Sequence, residues 1–252
     1  MSVFGLARVC IRRLLRKLGY DIHKIQVGRD PFHDMQRLIG GQRAPIIFDV
    51  GANVGQTIES FLQIMMRANI HAFEPGPQAF RELWEKYSGT PNLVLNDVAL
   101  GSTPGTAEFV ENTEPTMSSF LEPGAATWWG EVKQRVQVRV NTVDEYCDEH
   151  RIDYIDILKS DTQGFDLEVM RGAARLLSAR RIHLIYVEII LSDMYRGLPR
   201  LDEIFRFLAD CGFVLVAFYD FHYESGRVSW ADALFVNPQF RSNESGDSTA
   251  SV

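Results

Sequence analysis

Ile46-Ile47-Phe48-Asp49-Val50-Gly51-Ala52-Asn53-Val54-Gly55 is the stretch from which the fold is read. An apolar run ends at Asp49-Val50, a tight glycine turn follows, and Gln56-Thr57-Ile58-Glu59-Ser60-Phe61-Leu62 carries helical spacing. Strand, turn, helix is the mononucleotide-binding half of a doubly wound sheet, where ligands sit beyond the carboxyl ends of the strands. Gly51 permits a backbone turn that a side chain would obstruct, and the backbone N–H groups of the following helix are expected to face negative charge on a ligand. The spacing is G-x-N-x-G, not the G-x-G-x-x-G that wraps a pyrophosphate. The expected ligand is therefore an adenosine without a diphosphate, with S-adenosylmethionine the leading candidate.

Working outward, a polar connector at Gly28-Arg29-Asp30-Pro31 and a short helix to about Ile39 precede the first strand, Pro45 to Val50. Ile70-His71-Ala72-Phe73 and Leu93-Val94-Leu95 read as strands two and three, with Pro77 suited to open the helix between them. Gly105–Val110 and Arg135–Val140 alternate like strands, within an insertion over about 104–140. Thr142-Val143-Asp144-Glu145 resembles a capping box. Ile155–Ser160 is strand four, Phe165–Leu177 a helix, and Ile182–Ile189 strand five. A helix over Leu201–Asp210 ends at Gly212, and Phe213–Phe218 with Trp230–Val236 forms an antiparallel pair.

This order predicts an α/β fold of the methyltransferase-type Rossmann class: a mostly parallel, seven-stranded sheet with a terminal antiparallel hairpin and N-terminal helices. Rossmann dehydrogenases more often close with another parallel unit. The expected division is an N-terminal helical extension at 1–44, a catalytic domain at 45–238, and a disordered tail at 239–252.

Composition narrows the function. The chain has 252 residues, enough for one α/β domain with a full core but cramped for two. Cys10, Cys147 and Cys211 lie far apart, which fits a reducing, cytoplasmic setting and gives no zinc spacing. The net charge is -7, yet residues 1–17 hold Arg8, Arg12, Arg13, Arg16 and Lys17 and no acid. The rest of the chain is therefore strongly acidic, which disfavours nucleic acid as a partner. Phe4, Ala7, Ile11, Leu14, Leu15 and Leu18 make residues 1–18 a basic amphipathic helix. It would pack on the domain or on a partner subunit in a homodimer, or else touch the inner face of a membrane.

Glu74 ends strand two, where such a fold places an acid to accept both ribose hydroxyls. Asp97 ends strand three and could accept from the adenine amino group, with Val98 on the ring face. Asn96 could do the polar work instead. Asp161, after strand four, could hold the amino group of the methyl donor, orient a substrate hydroxyl, or take its proton. A helix N-cap is its structural alternative. Glu188 ends an apolar strand, where burial would raise its pKa, and is a second candidate base. No metal is expected. His71 and His183 read as core residues, and His222 as the one histidine worth testing. Met117-Ser118-Ser119 and Trp128-Trp129 could line an acceptor pocket or pack the insertion.

Phe48-Asp49-Val50-Gly51-Ala52-Asn53-Val54-Gly55, Phe73-Glu74-Pro75, Ala99-Leu100-Gly101 and the segment from Leu158 to Gly172 together resemble the FkbM-type methyltransferases, over about Ile46 to Val236. The resemblance implies an O-methyltransferase dependent on S-adenosylmethionine. Its members act on hydroxyls of polyketides and of sugars in bacterial glycans and glycolipids. It carries cofactor contacts onto Gly51, Asn53, Glu74 and the Asp97–Val98 segment, and Ala52, Pro75 and Asp161 are expected to join them. The family's Lys-x-Asp-x-x-Gly element stands here as Lys159, Asp161 and Gly164, with Gln163 where an acid is common. Asp161 and Glu188 are the expected catalytic pair, and a sugar, glycolipid or secondary metabolite the acceptor. The rival readings are a nicotinamide-dependent dehydrogenase and a non-catalytic glycan-binding protein on the same fold.

Overall fold

Ile46–Val50 (β1) lies in the middle of a seven-stranded sheet because both of its faces are apolar, as a parallel central strand requires. In the computed structural model, residues 26–40, 44–125 and 130–241 are described, together with Leu15 and Lys17 at helical positions. The basic segment 1–18 otherwise, Trp128-Trp129 and the tail beyond 241 lie outside the described residues. Along the chain follow α1 (Pro31–Ile39), β1, α2 (Gln56–Ile64), β2 (Asn69–Phe73), α3 (Pro77–Tyr87) and β3 (Leu93–Asn96). Next come β4 (Ala99–Leu100), β5 (Gly105–Asn112), a 3₁₀ turn (Pro115–Met117), β6 (Val132–Asn141) and α4 (Val143–His150). The chain continues through β7 (Ile155–Ser160), α5 (Asp166–Arg171), α6 (Ala174–Ser178) and β8 (Ile182–Ile190). It closes with α7 (Leu201–Asp210), β9 (Val214–Glu224) and β10 (Arg227–Val236).

The large sheet runs β3-β2-β1-β7-β8-β10-β9, with β10 antiparallel to both of its neighbours. Period-two alternation sends Phe48 and Val50 toward one layer and Ile47 toward the other. The first layer is α4 to α7, packed through Val143, Met170, Leu176 and Leu208. The second is α1 to α3, packed through Met35, Phe61 and Leu83. The segment 104–140 folds as expected into a hairpin of β5 and β6, joined by β4 into a separate three-stranded sheet.

Four local details differ from the sequence reading. First, α1 of the N-terminal extension joins the core, a packing the sequence did not indicate: Met35 is fully buried in one cluster with Ile47 and Phe61, and Asp34 accepts from Tyr219 Oη at 2.9 Å. Second, the helix expected from Phe165 to Leu177 is two short ones. A Cβ on Gly172, between them, would lie 2.0 Å from the Gly101 carbonyl oxygen, so the second sheet presses on the chain there. Third, the last two strands run further than their alternation suggests. Asp220 (φ 47°) sits in a bulge that breaks the pattern, and the tight Ser225-Gly226 turn has both φ angles positive. Fourth, Thr142 Oγ1 accepts from Glu145 N at 3.0 Å as a cap should, but the Thr142 amide donates to Asn141 Oδ1 at 2.7 Å, so the box is not reciprocal.

Candidate active site

Strand register assembles the site. Asn96, Phe73, Val50, Ser160 and Val187 are partners in succession across β3, β2, β1, β7 and β8. The next residue on each strand is therefore Asp97, Glu74, Gly51, Asp161 and Glu188, one row at the carboxyl edge. Asp232 and then Tyr219 extend that row across the antiparallel strands. Residues far apart in sequence thus meet because five parallel strands end together.

The glycine turn is built by close approach. A Cβ on Gly51 (φ 75°) would lie 1.9 Å from the Asp161 carbonyl oxygen, and one on Gly55 (φ 92°) 2.2 Å from the Tyr87 ring. Every backbone N–H from 51 to 55 already has a partner within the protein. Gly51 and Ala52 donate to Phe73 O, and Gly55 to Ala52 O. Asn53 donates to Glu74 Oε2 and Val54 to Asn53 Oδ1. No donor in the turn itself is left to cradle a pyrophosphate, and the amides expected to face a ligand's charge belong to α2, which follows it.

Glu74 Oε1 accepts from Gly76 N at 2.7 Å and Oε2 from Asn53 N at 2.9 Å. Each oxygen keeps a further lone pair, which suits a vicinal diol. Burial pushes the Glu74 carboxyl up to about 7, against those two N–H donors and Lys159, which pull it down. Beside Glu74 lies a cavity of about 210 Å³. Gly51, Asn53, Glu74, Pro75 and Asp161 line it, as the sequence proposed for a cofactor. Leu100, Phe109 and Phe120 form its apolar wall. Phe109 and Phe120 pack edge to face at 5.1 Å, and Phe120 lies against Phe165 at 4.6 Å. The sequence reading missed this wall, because Phe109 and Phe120 belong to the insertion and reach the site only through β5–β6 pairing.

Three of the proposed cofactor contacts are not in the lining. Asp97 is largely exposed and pairs with Arg139 Nη2 at 2.6 Å, facing away into solvent. Val98 packs against the core beneath α4 and α5. Ala52 is buried between α2 and α3 and contributes only its backbone to the turn. Asn96, the alternative to Asp97, is held by the Ala72 carbonyl and the Tyr146 hydroxyl.

Lys159, on β7, is buried with Nζ 2.8 Å from Asp49 Oδ1, 2.9 Å from Gly51 O and 3.9 Å from Asp161 Oδ2. Burial works against its charge, but Asp49 and Asp161 outweigh burial and hold it above the usual lysine range. Asp161 does not cap the next helix. Asp166 does the local work instead, its Oδ1 accepting from Ser160 Oγ, Thr162 N and Thr162 Oγ1. Asp161 is left partly exposed, its Oδ1 accepting from Gln163 Nε2 at 3.1 Å. The same Nε2 donates to Glu188 Oε2 at 2.8 Å, while Gln163 Oε1 lies 2.9 Å from Tyr195 Oη. Gln163 therefore fastens the two acids together, from a left-handed backbone position (φ 54°). Its neutral amide can donate to both, which an acid in its place could not. Burial first, then the carboxylates of Asp161, Asp166 and Asp232, push Glu188 well above the ordinary range.

A second cavity, of about 240 Å³, shares Gln56, Thr57, Lys159 and Asp161 with the first. Phe32, Tyr186, Glu188, Asp220 and Asp232 also line it. Ser118 lines the first cavity, and Ser119 Oγ donates to the Gln163 carbonyl. His222 is exposed, stacks on Trp230 at 3.7 Å and lines neither cavity. His71 is a core residue whose Nδ1 lies 2.8 Å from Tyr146 Oη, and burial lowers it to about 4. Among the described residues no group of three or more His, Cys, Asp or Glu is placed to hold a metal ion. No described helix is long and apolar enough to cross a membrane.

The sheet order, the strand-end acid and the closed glycine turn define a methyltransferase-type Rossmann domain. A Clostridium thermocellum protein described as an rRNA methylase shares this fold, with a TM-score of 0.50 at 8% identity over 86% of this chain and 100% of that one. The chain belongs to the FkbM methyltransferase family: residues 49–215 match the Methyltransferase FkbM domain. It is 28% identical over 163 residues to the 2-O-methyltransferase NoeI of Sinorhizobium fredii, covering 61% of this chain and 66% of that one. It is also 28% identical over 147 residues to the hexuronic acid methyltransferase AglP of Haloferax volcanii, covering 57% and 55%. The chain thus spans a little under two thirds of one of these relatives and about half of the other.

Proposed function

We propose that the chain is a sugar O-methyltransferase that binds S-adenosylmethionine in the cavity beside Glu74. The observation that carries this reading is Asp161, which lines both cavities at the point where they meet. Glu74 would take the ribose hydroxyls, and Pro75, Leu100, Phe109 and Phe120 the base. When bound, the cofactor supplies a methyl group on a sulfonium that an attacking oxygen displaces as a neutral thioether. Asp161 accepts the proton that the acceptor hydroxyl loses, because its carboxylate is open to that junction while Lys159 and Gln163 fix its position. Glu188 is held by Gln163 and surrounded by acids, which favour its protonated form, and in that form it offers the acceptor a hydrogen bond. Alignment and exclusion of water by the two cavity walls supply the remaining acceleration.

AglP supports a sugar acceptor and NoeI transfer to an oxygen through their names, and the acidic second cavity supports a sugar over nucleic acid. The five committed turn amides speak against the dehydrogenase reading. Contact of residues 1–18 with a membrane belongs to this proposal as the feature that would favour a lipid-linked glycan, and packing on a second subunit is its alternative. The test is incubation with isotope-labelled S-adenosylmethionine and a panel of sugars and cell-envelope glycolipids, read by mass spectrometry. Labelled methyl on a sugar hydroxyl is the expected result, and its absence from every acceptor, with cofactor bound, refutes the reading.

A further inference from the structure

The second cavity carries charge information that neither family membership nor the relatives' names contain. Its wall includes the carboxyl groups of Asp161, Glu188, Asp220 and Asp232. Among its described lining residues the one cation is Lys159, already engaged by Asp49 and by the Gly51 carbonyl. A carboxylate on an incoming acceptor would find no free counter-charge there, and the carboxyl groups of Asp161, Asp220 and Asp232 close by.

The backbone places these acids against its own interest. Glu188 and Asp232 are direct cross-strand partners, an arrangement that destabilises a sheet when both ionise. Asp220 reaches the cavity from a bulge: Asp220 and Phe221 of β9 stand opposite the single residue Ala231 of β10. Bulges re-aim side chains beside functional sites. Tyr186 donates to Asp232 Oδ2 at 2.6 Å, which fixes that carboxyl and leaves its other oxygen to a ligand. Phe32 and Tyr186 add aromatic surface, matched to the apolar face of a sugar ring.

We propose that this cavity is the acceptor site, that it takes a neutral or amino-bearing sugar and rejects a uronic acid, and that Asp220 and Asp232 determine this choice. The inference rests on the sugar-methylation reading above and adds the class of sugar. It separates this chain from its relative AglP, whose name gives hexuronic acid as acceptor. Sugar hydroxyls and an ammonium group donate hydrogen bonds, and carboxylates accept them.

The experiment compares methyl glucoside, methyl glucosaminide and methyl glucuronide, first by saturation-transfer NMR with the full chain in the presence of S-adenosylhomocysteine. Expected are signals from the glucoside and glucosaminide and none from the glucuronide at equal concentration. The same three are then offered as acceptors, and kcat/KM for the glucuronide is expected at least 100-fold below the others. Asp220→Asn and Asp232→Asn should each close that gap by tenfold or more, with S-adenosylhomocysteine affinity unaltered by calorimetry as the check on folding. Glucuronide binding equal to the others, or a gap that both variants leave unchanged, overturns the inference. If the NMR order holds but no sugar accepts a methyl group, the transfer reading falls and the charge selection stands.

Discussion

Glu188 and Asp232 stand directly opposite each other on β8 and β10, two acids in one cross-strand pair at the carboxyl edge of the sheet. Each has one fixed partner: the Gln163 amide holds Glu188, and the Tyr186 hydroxyl holds Asp232. Burial leads the causes that push Asp232 up to about 7, with Asp161 and Asp220 adding to it. In the unfolded chain an aspartate titrates near 3.9. Between those values the folded protein keeps a proton that the unfolded chain has released. Stability from this group is therefore full below the lower value and is lost as pH rises through the upper one. Thermal unfolding of the ligand-free protein should show stability falling between about pH 4 and 7 and levelling off above that. Asp232→Asn should remove up to about 4 kcal/mol of that fall, at roughly 1.4 kcal/mol per pKa unit. An identical slope in wild type and variant would show that Asp232 titrates normally.

Glu74 is raised in the same direction, but its effect on the cofactor cavity has the opposite pH dependence. Its carboxyl, pushed up to about 7, is charged above that pH and neutral below it. Because the charged form accepts from both ribose hydroxyls, S-adenosylhomocysteine affinity should weaken as pH drops from 8 to 5.5, approaching tenfold per unit below 7. Glu74→Gln should bind more weakly, by about tenfold or more, and independently of pH. Calorimetric titration across that range decides it, and a flat wild-type profile would remove Glu74 from the ribose role.

Asp161→Asn should lower kcat by about 10²-fold or more, the usual contribution of a positioned base, while S-adenosylhomocysteine binding changes little. Glu188→Gln should act mainly on the acceptor KM, since it keeps a hydrogen-bond donor at the same place. Full kcat in Asp161→Asn would exclude that residue as the base.

Gly51 and Gly89 both have positive φ, but only Gly51 is crowded: a Cβ at Gly89 meets nothing within 4 Å. Gly89→Ala should cost about 1–2 kcal/mol from backbone strain alone. Gly51→Ala must also move the Asp161 carbonyl, so its loss should exceed roughly 3 kcal/mol and extend to cofactor binding. Denaturant melts of the two variants compare these directly.

The strands that end in Gly51, Glu74, Asp161 and Glu188 were legible because a buried parallel strand followed by a glycine or an acid is a local pattern. The register that puts those residues in one row is the structure's addition. What was not legible depended on contacts between distant segments. Phe109 and Phe120 reach the cofactor cavity only after β5 and β6 pair, and Phe32 reaches the second cavity only because α1 packs on the sheet. Asp97 resembled an adenine ligand by position, yet Arg139, 42 residues away, draws it into solvent. Gln163 looked like a departure from its family, and the structure shows it joining the two acids that a charged residue would have driven apart.

A crystal structure of the S-adenosylhomocysteine complex tests the account most directly. The ribose hydroxyls should lie on Glu74, the base against Phe109 and Phe120, and the sulfur beside Asp161 where the two cavities meet. Adenosine in the acidic cavity, or in the groove beside Trp84 and Asp97, would contradict it.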